Sequence, residues 1–178
     1  MPKSNDTTPK LRGKPLDVPL HVVLVEPEIP PNTGNIARLC AATGSVLHLV
    51  GRLGFRIDDA AVRRAGLDYW PLVKLEQHVD FAQFVHAYQQ RVPEGRFFLL
   101  SGMSPRNYLN AAFRPGDAIV FGKESVGLDD TLLERYADRT LAVPMLGGVR
   151  SLNLANAAGI VLYEALRQCG ALDTATLA

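Results

Sequence analysis

Short apolar, β-branched runs alternate with helical patterns along nearly the whole chain, and this alternation limits the folds that it can adopt. Parallel strands joined by helices form a sheet that is covered on both faces. We therefore predict an α/β fold with a mainly parallel sheet and helices on both faces. The predicted strands are residues 20–26, 45–50, 72–75, 96–100, 117–122 and 140–143. The predicted helices are residues 32 or 33 to 42, 58–65, 78–91, 129–136 and 152–168.

The last predicted helix is apolar on almost every side, and polar residues cluster at its start. Such a helix must be covered on nearly every side, which in a chain of 178 residues indicates a partner subunit. Ser151 is a plausible N-cap, and Asn153 and Asn156 share one face of the first turns. These side chains can be helix caps alone, but with the free amides of the preceding loop they also suit a binding site.

The length corresponds to one domain, which we expect over residues 19–170, with a disordered polar tail at 1–18 and a short tail at 171–178. The first tail lacks the apolar segment of a secretory signal. No run reaches the roughly 18 apolar residues of a membrane helix. Cys40 and Cys169 are too few for a disulfide framework, so we expect reduced thiols in a cytoplasmic protein.

Several common active-site motifs are missing from the sequence. No G-x-G-x-x-G follows the first strand and no G-x-S-x-G occurs, which argues against a dinucleotide site and against an α/β-hydrolase. Gly122 and Lys123 imitate part of a phosphate-binding loop, but Glu124 stands where that loop needs serine or threonine.

The four histidines lack metal-ligand spacing with each other or with the cysteines, so we expect no metal. We place His21 and His48 in strands, as core or edge residues. We place His78 and His86 on the surface of a helix.

Three polar segments each follow a predicted strand, where parallel sheets bind their ligands. They are EPEIPPNTGNIARLCAATG from Glu26, FGKESVGL from Phe121, and VPMLGGVRSLNLANA from Val143. Together they resemble, in order, the three motifs of the SPOUT superfamily of RNA methyltransferases, and RRAGLDYW at 63–70 resembles a further hallmark. The resemblance covers about residues 20–168. It is strongest to a small subgroup that methylates the ribose 2′-hydroxyl of the tRNA wobble nucleotide.

This resemblance implies a C-terminal trefoil knot, which no pattern in the sequence predicts because knots are rare. It also implies that S-adenosyl-L-methionine binds in the knot, held largely by backbone groups of three loops. Adenine suits apolar walls and a few backbone hydrogen bonds, and glycine lets the main chain come close. Without the resemblance, Gly122 and Gly127 could equally be turn residues. The implied cofactor-binding residues are Leu100, Ser101, Phe121, Gly122, Glu124, Val143, Met145, Ser151 and Leu152.

Arg38 matches the first-motif arginine that related enzymes are proposed to use on the 2′-hydroxyl. Arginine is normally protonated, so we favour phosphate binding and oxyanion stabilisation over a base, with a surface arginine as the alternative. We expect Glu124 to anchor Asn35 or Arg38, or to lie near the positive charge of the cofactor. Asn35 is expected to orient the first-motif loop and Asn32 to cap its helix. The implied catalytic residues are Arg38, Glu124, Ser151 and Asn153.

The chain departs from the subgroup at Lys123 and Val126, where members often carry proline and arginine, and at Gly147 and Gly148, where more polar residues are common. We expect the cofactor contacts to survive these changes, whereas recognition of the anticodon is affected more. Tyr163 is expected to be an interface aromatic.

The resemblance predicts an enzyme that methylates the 2′-hydroxyl of the wobble cytidine or uridine in tRNA, with leucine tRNAs the expected substrates. It also predicts a homodimer, which would cover the last helix and present a basic surface to the anticodon stem-loop. Arg52, Arg56, Arg63 and Arg64 could supply that surface, although a solvated helix face explains them equally well. The alternatives are methylation of another tRNA or ribosomal RNA nucleotide, methylation of a base, or a binding module without activity.

Overall fold

The structure, a computed structural model, describes residues 9–56 and 69–177. Its strands are β1 (Leu11–Arg12), β2 (His21–Val25), β3 (Val46–Val50), β4 (Lys74–His78), β5 (Phe97–Leu100), β6 (Ala118–Phe121), β7 (Thr140–Leu141) and β8 (Thr176–Leu177). Its α-helices are α1 (Pro30–Thr43), α2 (Phe81–Arg91), α3 (Asp130–Arg135) and α4 (Leu154–Gln168). Short 3₁₀ turns occur at Trp70–Leu72, Tyr108–Asn110 and Ala137–Arg139.

Among the described residues, six strands form one parallel sheet in the order β4–β3–β2–β6–β5–β7. The strand order reverses between β2 and β6, and in open parallel sheets such a reversal opens a crevice beyond the carboxyl ends of the strands. The prediction of an α/β fold with a mainly parallel sheet is confirmed. The predicted helix at residues 58–65 lies outside the described residues.

Helices cover both faces of the sheet, as predicted. On one face, α1 and α4 bury Ile36, Cys40 and Leu162 against apolar side chains of β2, β3 and β6. On the other face, α2 buries Phe84 and Tyr88, and α3 packs beside them. α1 and α4 also contact each other, and a hydrogen bond between Asn32 and Asn153 holds the starts of these two helices close together beyond the carboxyl ends of the strands.

Helix α1 begins earlier than predicted, at Pro30 instead of residue 32 or 33. Pro30 and Pro31 occupy the first turn, where the missing N–H of proline costs no hydrogen bond and its fixed φ suits the helix. These prolines therefore lie inside α1 and not in the loop before it. The helix ends at Thr43, one residue after the predicted end, because Gly44 adopts a left-handed conformation with φ of 72° and donates its N–H to the carbonyl of Cys40.

The histidine predictions are confirmed except at one position. His21 and His48 are buried in β2 and β3, and His86 is exposed on α2. His78 is buried at the end of β4, so its expected place on a helix surface is wrong; the strand begins two residues later than predicted because Leu72 belongs to a 3₁₀ turn. Burial lowers the pKa of His21 to about 4 and that of His48 to about 2.

Residues near the two ends of the chain pair with each other. Strand β1 forms an antiparallel pair with β8, so parts of both segments expected to be tails have regular structure. Both cysteines are free thiols, and burial raises the pKa of Cys40 to about 12 and that of Cys169 to about 11. Within the described residues, no helix has both the length and the apolar character needed to cross a bilayer.

Candidate functional site

A cavity of about 710 Å³ lies beyond the carboxyl ends of β5, β6 and β7. Three loops line it, and each follows one of these strands. All of the predicted cofactor-binding residues and Asn153 are among its lining residues; they are Leu100, Ser101, Phe121, Gly122, Glu124, Val143, Met145, Ser151, Leu152 and Asn153. The structure therefore brings together side chains that are up to 53 positions apart, with apolar walls and a polar rim.

Glu124 connects the loop after β6 to the start of α1. One of its carboxylate oxygens accepts a hydrogen bond from the backbone N–H of Glu28 at 2.8 Å. The other accepts from the N–H of Ile29 at 3.2 Å and from the side-chain amide of Asn32 at 3.0 Å. Since the first N–H groups of a helix have no intrahelical partner and carry partial positive charge, a carboxylate is well placed there.

Glu28 makes the reciprocal contact, because its carboxylate accepts the backbone N–H of Ser125 at 3.0 Å. Hydrogen bonds from the side chain and the backbone of Ser125 hold the pKa of Glu28 below its usual value. Two carboxylates thus fasten the same pair of loops from opposite sides. Glu28 was not among the predicted site residues although it lies in the first motif, because an exposed glutamate in a proline-rich loop shows no pattern of its own.

Asn32 extends this connection to the third loop. Its side-chain oxygen accepts a hydrogen bond from the amide of Asn153 at 3.0 Å, and the side-chain oxygen of Asn153 accepts the N–H groups of Ala155 and Asn156. Asn153 is therefore the N-cap of α4, and the expectation that Ser151 has this role is wrong. The expected cap role of Asn32 is wrong too, because Asn32 lies inside the first turn of α1.

We call the connected side chains Glu124, Asn32 and Asn153 the amide bridge, since they join all three motif segments. Of the partners expected for Glu124, neither Asn35 nor Arg38 is the one observed; both are exposed on α1. Asn32 faces inward instead and is 5% exposed. The periodicity of α1 places Asn32 on the same side as Ile36 and Cys40, which is the signal that could have identified it.

Gly122 and Gly127 shape the loop after β6 in different ways. Lys123 and Gly127 exchange two backbone hydrogen bonds, which folds the loop back on itself, and Gly127 has a left-handed φ of 80°. A Cβ atom at Gly122 would overlap with the backbone of Gly127 and Leu128. Both glycines are thus required by the turn, and together they bring the main chain to the wall of the cavity.

Arg38 lies outside the cavity of its own chain. It is six residues beyond Asn32 on α1, about 9 Å along the helix axis. Its guanidinium carbon stands 4.6 Å from the ring centroid of Tyr69, and one of its nitrogens is 3.5 Å from the hydroxyl of that tyrosine. Tyr69 therefore holds the cation at the surface through its ring face.

The structure shows the surroundings of Lys123 and Val126, two positions at which the sequence departs from the subgroup. Lys123 forms an ion pair with Glu26, with 2.6 Å between nitrogen and oxygen, and hydrogen bonding to this carboxylate raises the pKa of Lys123. Val126 is exposed at the tip of its loop. In the basic cluster, Arg52 and Arg56 are exposed, whereas Arg63 and Arg64 lie outside the described residues.

Comparison with known proteins agrees with this geometry. The SpoU rRNA Methylase family matches residues 19–163. A tRNA (cytidine(34)-2'-O)-methyltransferase of Burkholderia pseudomallei is 48% identical over 151 residues, which cover 84% of this chain and 96% of that protein.

Solved structures of methyltransferases are also similar to this chain. One from work on the 2-OH methylation of C/U34 on tRNA has a TM-score of 0.79 and 48% identity, and the match covers 85% of this chain and 96% of that one. An AdoMet-bound rRNA methyltransferase from Sinorhizobium meliloti has a TM-score of 0.72 and 25% identity, and the match covers 86% of this chain and 58% of that one.

Proposed function

Because the chain belongs to the SpoU rRNA methylase family, we propose that it is a methyltransferase acting on the ribose 2′-hydroxyl of nucleotide 34 of tRNA, a cytidine or uridine. The observation that carries the proposal is the cavity beyond β5, β6 and β7, whose lining includes every residue that the motifs assign to the cofactor. Relatives covering 84% of the chain have this activity in their names, so the substrate class rests on more than the fold.

The residues around the cavity fit S-adenosyl-L-methionine. The volume falls within the roughly 300–1,000 Å³ of small-molecule sites. Leu100, Val143 and Leu152 offer apolar walls for adenine, and the loops around Gly122 and Ser101 bring backbone groups to the rim. When bound, this cofactor supplies an electrophilic methyl group on a sulfonium sulfur.

Four residues carry the proposed chemistry on the protein side. Ser151 and Asn153 lie at the rim of the cavity, where they can orient the ribose and bring its 2′-oxygen into line with the methyl group. Glu124 is a positioning residue, since its carboxylate oxygens are hydrogen-bonded to the start of α1. A guanidinium group is a positive charge without an acceptor atom, so Arg38 would bind an RNA phosphate and stabilise the developing oxyanion; its surface position suits contact with the RNA backbone.

We further propose that the C-terminal part of the chain is knotted. Strand β5 lies between β6 and β7, so the chain crosses over β5 on its way from β6 to β7. After β7 the chain continues along the loop that leads to α4, and α4 packs against α1 and β6. The loops at residues 122–128 and 143–153 both line the same cavity. Their closeness supports the proposal that one is threaded through the other.

We propose that residues 19–170 form a single domain and that the chain assembles as a homodimer. Exposed apolar side chains on α4 and on the preceding loop support it; they are Leu146, Val149, Ile160 and Tyr163. An anticodon stem-loop lying across two subunits would meet more basic surface than one subunit offers. The free thiols and the tRNA substrate favour the cytoplasm.

The test is transfer of labelled methyl groups to tRNA that lacks the modification, with the product mapped by mass spectrometry. We expect one added methyl on the ribose of nucleotide 34, first in leucine tRNAs. Arg38→Ala should abolish turnover while calorimetry still detects cofactor binding. Arg114→Ala, an exposed arginine on the segment before β6, is the matched control and should keep full activity.

Other outcomes would change the conclusion. A methyl group on a base or on ribosomal RNA would correct the substrate, and RNA binding without transfer would indicate a binding module. Loss of cofactor binding in Arg38→Ala would give this arginine a structural role.

A further inference from the structure

Three buried histidines form a row across neighbouring strands, far from the loops of the cavity. His21, His48 and His78 lie on β2, β3 and β4, with ring centroids 5.1 and 5.2 Å apart. Nδ1 of His21 is 2.8 Å from Nε2 of His48, and Nδ1 of His48 is 2.9 Å from Nε2 of His78. Phe84 and Tyr88 of α2 cover the row.

A carboxylate faces the outer end of this row. Glu76 precedes His78 by two residues on β4, so both side chains point to the same face of the sheet. One oxygen of Glu76 is 3.7 Å from Nδ1 of His48 and 3.9 Å from Nε2 of His78, which is too far for a hydrogen bond. The other oxygen is bound by Arg91. The carboxylate is thus held toward the two rings with a gap between them.

We propose that His48, Glu76 and His78 bind a divalent cation of the Zn²⁺ type. Their three facing atoms are 2.9, 3.7 and 3.9 Å apart, and a point about 2 Å from all three exists, which is the bond length of zinc to nitrogen and oxygen. Ligands of a tetrahedral zinc are about 3.3 Å apart, so each pair needs to shift by only a few tenths of an ångström. A water molecule would complete the fourth position.

The surroundings of His48 suit this role. A metal on Nδ1 leaves the proton on Nε2, which then donates to Nδ1 of His21. Metal-binding histidines usually donate their other ring N–H in this way, which fixes the orientation of the ring. Arg91 does the same for Glu76 by holding its second oxygen.

The position of the site indicates what the ion would do. β4 is the edge strand of the sheet and lies at the opposite end of the strand order from β7. The cavity is lined by the loops after β5, β6 and β7, so the ion is separate from the proposed reaction. Two ligands are on β4 and one is on β3, so the ion would fasten the edge strand to its neighbour. Glu76 is 23% exposed, which provides a path for the ion from solvent.

The test uses the full-length chain, freed of metal by a chelator and titrated with Zn²⁺ alone by calorimetry. We expect one ion per chain and a higher melting temperature with Zn²⁺ than with chelator. Glu76→Gln and His78→Gln should each weaken binding by about 100-fold or more, because loss of an orienting partner alone costs roughly 10–100-fold. His86→Gln, which removes an exposed histidine of α2, is the matched control and should bind like the original chain.

A spectrum of the Co²⁺ form identifies the ligands in the unaltered chain, so the test does not depend on the variants folding. Nitrogen and oxygen ligands give visible bands without the near-ultraviolet charge transfer of a thiolate. The proposal is overturned if the chain does not bind Zn²⁺, if Co²⁺ shows thiolate ligation by Cys40 or Cys169, or if both variants, folded by circular dichroism, bind as the original does.

Discussion

Asn32 uses both ends of one amide group, and this makes it the central residue of the site. Its nitrogen donates to Glu124 and its oxygen accepts from Asn153, so one buried side chain connects three segments. Removing it takes one of three hydrogen bonds from the Glu124 carboxylate and one from the Asn153 amide, both at part-buried contacts. Two side-chain hydrogen bonds are lost at once, so the effect should exceed that of an exposed asparagine.

We predict that Asn32→Ala and Asn153→Ala each lower the free energy of unfolding by about 1–3 kcal/mol. Because the two side chains share a hydrogen bond, the double variant should lose less than the sum, with a coupling of about 0.5–3 kcal/mol. Denaturant unfolding of the single and double variants measures this. Asn110→Ala, at an exposed position of the 3₁₀ turn at Tyr108–Asn110, is the control and should change stability little. Strict additivity would mean that the hydrogen bond between the two side chains does not contribute to stability.

At this scale the sequence predicted which residues line the cavity better than it predicted their contacts. The motif match selected Glu124, Ser151 and Asn153, and all three line the cavity. It misassigned the cap of α4 and the partner of Glu124, because both depend on which of several adjacent polar side chains points inward. The periodicity of α1 could have placed Asn32 on the inward side, but the side chains that meet between the two packed helices are defined only in the folded chain.

The loop after β6 has a tightly constrained backbone at Gly122. Gly122 lies against the main chain of Gly127 and Leu128, with no room for a Cβ atom. Backbone cannot move aside as the end of a flexible side chain can, so the loop has to open. Since this loop forms one wall of the cavity, its packing and the cofactor site are coupled.

We predict that Gly122→Ala lowers the free energy of unfolding by about 1–3 kcal/mol or more and weakens cofactor binding. Gly147→Ala is the matched control, because a Cβ there meets nothing within 4 Å, and its effect should stay within about 0.5 kcal/mol. Thermal unfolding and cofactor titration of both variants provide the measurement. Equal stability of the two variants would show that the loop has more freedom than the structure indicates.

Elements were predictable where burial and propensity agree. Strands β2, β3 and β6 are β-branched and apolar, and each lies within a predicted strand. β4 contains Lys74, Glu76 and His78, and as an edge strand it has no continuous apolar run. Its predicted range therefore began too early in the sequence. The row of three histidines could not be predicted from the sequence, because it depends on the register between neighbouring strands. The spacing of residues 21, 48 and 78 gives no indication of that register.

For the whole molecule, the question is what covers α4. One side of this helix packs on the sheet through Val161, Leu162 and Ala165. The other side carries an exposed stripe at helical spacing, consisting of Asn156, Ile160, Tyr163 and Arg167. The last helix was expected to be covered on nearly every side. Within one chain only one side of α4 is covered, and we propose that a second copy of the chain covers the other side.

We predict that Ile160→Asp converts the proposed homodimer to monomers. Ile160 is 40% exposed in the single chain, so a charge there costs that chain little, whereas in a dimer it would be buried without a partner. A cost of about 3 kcal/mol corresponds to an increase of about 100-fold in the dissociation constant of the dimer. Sedimentation measures the change, and methyl transfer should fall with it, because the proposed RNA surface spans both subunits. Val79→Asp places the same charge on an exposed valine between β4 and α2, and it should leave the dimer intact. If Ile160→Asp remains dimeric and active, α4 does not form the interface, and the apolar loop at Leu146 and Val149 becomes the next surface to change in the same way.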